Sequence, residues 1–304
     1  MIPNLVRNGG KNGRILPRCF MDELKDKNGL TEKEFLAHYS DKGYDKPSVT
    51  ADILVLGSNS DFSGFRILLV KRGGHPFLGS WALPGGFIKK DETAYQAAAR
   101  ELSEETGLQN VYLEQIYAFT NPRRDPRTRV MSIAYLALVC GFEDVAGSDD
   151  AADAAWFDMS VNESGIRISS AERGVEIFYG IERGIFQNGK IRYENWVAKS
   201  SGGEKLAFDH IEIVIESLLK LKSNFYNSDL AFNMIGDFFT LPDLQSLYEL
   251  VLGKKLYKTN FRAMVADKIQ ATGEKRKSMT SRKMSAEYVY NSSSRAMGAE
   301  TSSE

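Results

Sequence analysis

Between Gly86 and Leu108 the chain sets one arginine and four glutamates at fixed intervals: Gly86, Glu92, Arg100, Glu101, Glu104 and Glu105, closed by Gly107 and Leu108. Written as a pattern this is G-x5-E-x7-R-E-U-x-E-E-x-G-U, with U aliphatic. If each fixed Gly, Glu or Arg position is filled at about 7%, the seven coincide by chance roughly once in 10^8 starting points. Glu101, Glu104 and Glu105 fall at i, i+3 and i+4, on one face of a helix. Carboxylates crowded there repel one another, and their charged forms need a counter-ion. A hard divalent cation supplies it. Mg2+ takes oxygen ligands and keeps substrate phosphates as partners, and Mn2+ is the alternative ion. Arg100 precedes Glu104 by one turn, so it can pair with Glu104 or reach back to Glu92 and hold a carboxylate rotamer. An isolated E-x-x-E-E is more often a solvated face; the Pro84-Gly85-Gly86 turn and the complete spacing point to metal chemistry.

The elements that must position these groups are legible around them. Alanines and Leu102 favour a helix of about 14 residues from Glu92, with Asp91 as its expected N-cap and Gly107 as its stop. Upstream, residues 31–39 form a short helix with Thr31 as cap and Glu34 completing a capping box. Residues 51–56 and 66–72 are strands, with a polar turn over 59–64. Residues 81–84 form a short strand leading into the metal turn. Strands follow over 111–119, 129–139 and 154–157. Within residues 160–205, strands 175–179 and 190–193 form a hairpin closed near Asn188-Gly189; this segment either covers the site or is a surface insertion. A helix runs from about 206 to Leu221. His210 near its start either touches substrate or, more commonly for a lone histidine there, caps and packs. Strands on both sides of a helix indicate a mixed α/β sandwich.

From about residue 226 the composition changes. A helix over 240–253 has Thr240 as cap, a proline in its first turn and Gly253 as its end. A second helix begins at Asn260, and residues 288–290 form a small strand, as in a winged helix-turn-helix. Lys254, Lys255, Lys258, Arg262, Lys268, Lys275, Arg276, Lys277, Arg282 and Lys283 stand there against Asp267, Glu274 and Glu287. That clustering fits a phosphate backbone, or a basic module serving packing or dimerisation.

Composition sets the outer limits. The chain has 304 residues, enough for two domains, with 42% hydrophobic and 26% charged residues, as in a globular protein. A net charge of −1 makes it no global polycation. Cys19 and Cys140 match no metal spacing, and a reduced, cytoplasmic setting is expected. No apolar run reaches membrane-spanning length, and no apolar signal core opens the chain. Residues 1–30 are expected to be a flexible extension, within which Met21 is an alternative start, and residues 291–304 a disordered tail.

The run from Gly86 to Leu108 resembles the signature of the Nudix hydrolases, which cleave nucleoside diphosphates linked to another group. The resemblance extends over about residues 31–290. It is carried by Lys46-Pro47-Ser48-Val49-Thr50, Gly74-His75-Pro76-Phe77, Ser80 to Phe87, Arg124-Asp125-Pro126-Arg127, Asp149-Asp150-Ala151, Trp156-Phe157, Leu206 to His210 and Phe239-Thr240-Leu241. These segments look like a Nudix branch with a C-terminal winged helix, containing ADP-ribose pyrophosphatase-like enzymes and transcriptional regulators of NAD metabolism. The resemblance implies a Nudix α/β/α sandwich with a mixed sheet over 31–225, residues 160–205 being an insertion, and a winged-helix domain over 226–290. It assigns Glu101 and Glu105 as main metal ligands, Glu104 as a further ligand or water-orienting group, the Gly86 carbonyl as a coordinating oxygen, and Glu92 and Arg100 as support. It implies hydrolysis of ADP-ribose or a relative to AMP and a sugar phosphate, and a homodimer. Arg124 and Arg127 are expected as diphosphate clamps or as partners of Asp125, and Trp81 and Phe87 as adenine-stacking or core rings. The general base is a box glutamate or Glu163, Glu172 or Glu176. The regulators often carry a damaged box; this chain keeps every box residue, which favours catalysis. Its residues Ser281-Arg282-Lys283-Met284 lack the Gly-Arg-Pro of many regulators, which weighs against DNA binding. The alternative reading is an ADP-ribose-responsive DNA-binding regulator.

Overall fold

The computed structural model describes residues 24–40, 43, 45–140, 153–200 and 202–292. The expectations for residues 1–23, Asp149-Asp150-Ala151 and residues 293–304 lie outside them. The chain divides into two compact units at Lys46/Pro47. In the first, helix α1 (Glu32–His38) has Thr31 as N-cap, with the reciprocal Glu34 bond of a capping box, and buries no residue.

The second unit opens with β1 (Ser48–Ser58) and β2 (Phe65–Lys71), an antiparallel pair joined by the expected polar turn. Two short strands, β3 (Trp81–Ala82) and β4 (Gly85–Phe87), lead into helix α2 (Ala94–Thr106). Then come β5 (Tyr112–Phe119), β6 (Val130–Leu138), β7 (Ala154–Val161), β8 (Gly165–Ser170), β9 (Val175–Asn188) and β10 (Ile191–Ser200). They form one mixed sheet in the order β10-β9-β8-β7-β2-β1-β6-β5, with β3 on β2 and β4 on β1. Only the β1–β6 pair is parallel among the described ladders of this sheet.

Alternation along β1 divides the core between two layers, since successive side chains of a strand point to opposite faces. Ala51, Ile53 and Val55 pack with Ala97, Ala98 and Leu102 of α2. Leu54 and Leu56 pack with the second covering helix, α3 (His210–Phe225). This is the expected α/β/α sandwich with a mixed sheet. Helix α3 also ties the sheet's two outer strands: Lys220 bonds Glu114 and the Gln115 carbonyl of β5, and Lys222 bonds Glu194 of β10.

Residues 160–205 extend the main sheet. The hairpin at Asn188 is present, but its ladder pairs Asn188 with Ile191, so Gly189 and Lys190 form the two-residue loop. Strand β8 was not anticipated; the Gly165–Ser170 run is too short to distinguish from a loop by pattern. Helix α3 starts at His210 rather than near Leu206. The Asp209 carboxylate lies at the N-cap position but makes no capping bond, because it is taken by Arg124.

After a 3-10 turn at Leu230–Asn233, β11 (Phe239–Thr240) leads into α4 (Leu241–Leu252), which has Thr240 as N-cap and Gly253 at φ 66° as its end. Helix α5 (Lys258–Val265), β12 (Ile269–Lys277) and β13 (Met284–Tyr290) follow, and the sheet order β11-β13-β12 completes a winged helix. The basic run hid β12. Leu244, Leu247 and Tyr248 of α4 and Phe261 of α5 share one buried cluster with α3 and the large sheet, so the winged helix packs into the same core.

Candidate active site

Helix α2 starts two residues later than expected, at Ala94. Thr93, not Asp91, is the N-cap: its hydroxyl accepts from Gln96 N–H, and Gln96 returns a bond to Thr93 N–H. Glu92 has another use. Its Oε1 accepts from Lys89 N–H at 2.7 Å, and its two oxygens take a fork from Arg100 at 2.7 and 3.0 Å. Bonds from Arg100 and Lys89 hold the Glu92 carboxyl down to about 2. Arg100 Nη1 also reaches Glu101 at 2.7 Å and Glu104 at 3.0 Å, so the arginine does both things its spacing allowed.

The Gly85-Gly86 turn sits directly against this helix. A Cβ on Gly86 would lie 2.1 Å from Glu101 Oε1, and one on Gly85 would lie 2.3 Å from the Ala51 carbonyl. Gly85 has φ 154°, where side chains are disfavoured. Its N–H donates to Glu105 Oε2 at 2.8 Å. Burial pushes Glu105 up to about 7; the Gly85 bond opposes this, and the charges of Glu101 and Asp52 add to it.

Among the described residues no three acidic, imidazole or thiol groups already converge as a metal site. Arg100 holds Glu101 and Glu104, with Glu104 turned largely to solvent, and Gly85 holds Glu105. The donor set nevertheless fits a hard cation. It is all oxygen, it lies against a glycine turn with no room for a side chain, and the Glu101 charge adds to the raised proton affinity of Glu105.

Beside the turn is a cavity of about 170 Å³ whose lining includes Asp52, Arg72, Gly85, Gly86, Phe87, Asp125, Arg127 and Phe208. Arg127 makes a fork to Asp125 at 2.7 and 3.1 Å, and its guanidinium lies 5.5 Å from the Phe87 ring centre and 5.9 Å from that of Phe208. Its side chain is 42% exposed. Arg124, expected as a clamp or an Asp125 partner, also lines this cavity but makes no bond to Asp125. Its side chain is 3% exposed, locked in a fork to Asp209 at 2.7 and 2.9 Å and in a bond to Asp52 at 3.3 Å.

Trp81 is a core ring, 4% exposed and edge-on to Phe157, so the stacking role falls away from it. Phe87 stays 45% exposed. His210 borders the cavity but is buried, and its Nδ1 accepts from Leu83 N–H at 2.9 Å, which is the packing role. Glu163 lines a different cavity, Glu172 lies in the β8–β9 turn, and Glu176 of β9 pairs with Arg167 of β8; none joins the cavity beside Gly86.

Sequence reasoning missed Arg72 and Phe208. Arg72 Nε donates to the Pro76 carbonyl at 2.8 Å, and its guanidinium lies 4.8 Å from the Phe208 ring centre. Burial, then the neighbouring Arg127, lowers its pKa. Phe208 takes φ 52°, a backbone state nothing in its type announces. Its place within the Leu206–His210 run was the available signal.

Residues 46–169 match the NUDIX domain and residues 231–289 the NrtR DNA-binding winged helix domain. The "ADPR responsive transcriptional repressor NtrR" of Acinetobacter baylyi is 28% identical over 238 residues, covering 77% of this chain and 78% of that protein. The "ADP-ribose pyrophosphatase" of Methanocaldococcus jannaschii is 41% identical over 117 residues, 38% of this chain and 65% of that one. A crystal structure of a MutT/nudix family protein from Enterococcus faecalis superposes with a TM-score of 0.70 at 29% identity, covering 86% of this chain and 94% of that one. With the intact box built around its glycine turn and a winged helix on the same core, this chain joins a Nudix domain to an NrtR-type winged helix domain.

Proposed function

We propose that the Nudix domain binds ADP-ribose or a closely related nucleoside diphosphate sugar and hydrolyses its phosphoanhydride, giving AMP and a sugar phosphate. The observation that carries this is the contact of Glu101 with Gly86 and of Glu105 with Gly85, at the edge of the cavity that holds Arg127 and Arg72. Glu101, Glu104, Glu105 and the Gly86 carbonyl would hold Mg2+ or Mn2+. The bound ion supplies charge neutralisation on the diphosphate and a more acidic water. Arg127 binds Asp125 through Nε and Nη2, which leaves Nη1 for a phosphate oxygen, and Arg72 brings a second guanidinium to the same cavity. Phe87 offers a partly open ring to the nucleoside. Arg100 fixes the carboxylate rotamers, and Glu92 fixes Arg100.

The test is a hydrolysis screen with Mg2+ over ADP-ribose, NADH, diadenosine polyphosphates and nucleoside triphosphates. Glu105→Gln should bind ADP-ribose and lose about 10²–10⁴-fold in turnover, the range for a positioned catalytic group. Unchanged turnover in that variant removes the proposal.

A second reading is supported by the other domain: the nucleotide sugar acts as an effector of DNA binding, with or without turnover. Helix α5 turns Phe261 and Val265 inward and leaves Lys258, Asn260 and Arg262 exposed, types that contact phosphates and base edges. A gel shift with promoter DNA, with and without ADP-ribose, tests it. Absence of a shift under low salt rejects it. A homodimer belongs to both readings, and light scattering giving the mass of one 34.0 kDa chain would remove it.

A further inference from the structure

The turn joining β12 to β13, residues 278–283, is the wing of the winged helix, and it exposes Arg282 and Lys283. This wing is bonded from beneath by a helix. Asp243, in the first turn of α4, is 4% exposed. Its Oδ1 accepts from Ser278 Oγ at 2.9 Å, from Thr280 N–H at 3.0 Å and from Thr280 Oγ1 at 3.0 Å. Its Oδ2 accepts from Thr240 Oγ1 at 2.7 Å. The wing closes on itself around the same point: Ser278 Oγ accepts from Ser281 N–H, Ser278 N–H donates to the Lys283 carbonyl, and Arg282 N–H donates to the Ser278 carbonyl. Arg282 is held at φ 59°. A non-glycine residue stays there only when its surroundings over-determine it.

Capping α4 does not explain the carboxylate, because Thr240 already accepts from Asp243 N–H. A buried carboxylate without a cation is costly unless several donors satisfy it. Here three of the four donors come from the wing, so what the carboxylate secures is the wing's position.

We propose that Asp243 is a positioning residue for nucleic-acid binding, seating the wing on α4 so that Arg282 and Lys283 stand at a fixed place on the winged helix. The inference rests on the DNA-binding reading. Phosphate contacts set the register of a protein on a duplex, and a pre-ordered turn loses less conformational freedom when it makes them.

The experiment uses the full chain in two arms. In the first, limited trypsin digestion without DNA follows cleavage after Arg282 and Lys283. Wild type is expected to resist, Asp243→Ala to be cut there first while the rest of the chain stays intact, and Asp243→Asn to recover most of the protection. In the second, binding to a mixed-sequence duplex is followed against salt. Asp243→Ala should flatten the slope of log K against log[salt] by about 1.8, at about 0.9 for each of two lost phosphate contacts. Arg282→Ala/Lys283→Ala should do the same, and adding Asp243→Ala to that pair should change nothing further. A wing still protected in Asp243→Ala, or a loss that adds in full to that of the charge variant, overturns the proposal. If Asp243→Ala fails to fold, Ser278→Ala, which removes one wing donor and leaves the Thr240 cap, must open the same cleavage; unchanged protection there is equally fatal. Wild-type protein that binds no DNA refutes the DNA-binding reading, and the trypsin arm still decides whether Asp243 holds the wing.

Discussion

Two arginines in this protein gather carboxylates, and they are built in opposite ways. Arg100 binds Glu92, Glu101 and Glu104, all within eight residues of it, on one helix and the turn that leads into it. Arg124 binds Asp52 and Asp209, 72 and 85 residues away, with its side chain almost wholly buried. The first cluster serves orientation: its members can be rehydrated if the arginine leaves. The second joins β1 to the start of α3 around a guanidinium that is 3% exposed. Burial alone would lower the Arg124 pKa; the bonds from Asp209 and Asp52 outweigh it and raise it. A charged pair is thus worth little or much according to what remains when one partner is removed.

The sharpest way to break the comparison is to remove each arginine. Arg124→Met should cost about 3–5 kcal/mol of folding stability in urea titration, because the largely covered Asp52 and Asp209 carboxylates lose the guanidinium that pairs them. Equal stability with wild type would mean the triad is not structural. The glycines give the next effect. Gly85→Ala meets backbone at Ala51 and a φ reserved for glycine, so it should lose about 1–3 kcal/mol from strain alone. Gly86→Ala meets only the Glu101 side chain, so it should unfold less readily than Gly85→Ala while losing turnover. Arg100→Met should lower stability less than Arg124→Met, yet reduce hydrolysis by freeing Glu101 and Glu104; a large loss of stability with full turnover would invert the roles assigned here.

The smallest effect is a pH dependence beside the Arg124 triad. Burial lowers the His210 pKa below its ordinary 6.5; the charges of Asp52 and Asp209 oppose this, and those of Arg124 and Arg72 add to it. The native state therefore keeps His210 neutral, and the unfolded chain takes up the proton. Its contribution is fully present above pH 6.5 and is lost as pH falls below that value, by at most about 1.4 kcal/mol per pH unit. Urea midpoints measured from pH 7.5 down to 5.5 should fall less steeply in His210→Asn than in wild type.

Much of the local structure was legible because its causes lie close together along the chain. Thr31 with Glu34, Thr240 with Gly253, and Gly107 as a helix end all rest on bonds spanning a few residues. The Arg100 fork to Glu92 was readable for the same reason. Where two local options competed, reading was less sure. Asp91 and Thr93 can both cap α2, and the reciprocal bond with Gln96 selects Thr93. The β9–β10 loop fell one residue from its expected place because the register is set by pairing along the whole ladder. Strand β12 was hidden because its residues are basic and exposed, and it owes its existence to β13 beside it.

The amino-acid order by itself determined the acidic helix, the glycine turn before it, the capped helices and the basic tract of the second domain. Each follows from spacing, propensity and charge over a few turns of chain. Only the tertiary structure decided which guanidinium stands open at the cavity. It buried Arg124 between Asp52 and Asp209, left Arg127 open above Phe87, brought Arg72 and Phe208 to the same place, and put Trp81 and His210 in the core. The reason is physical: the fate of a charged or aromatic side chain depends on the water around it and the partners it meets, and both are supplied by segments far away in the chain.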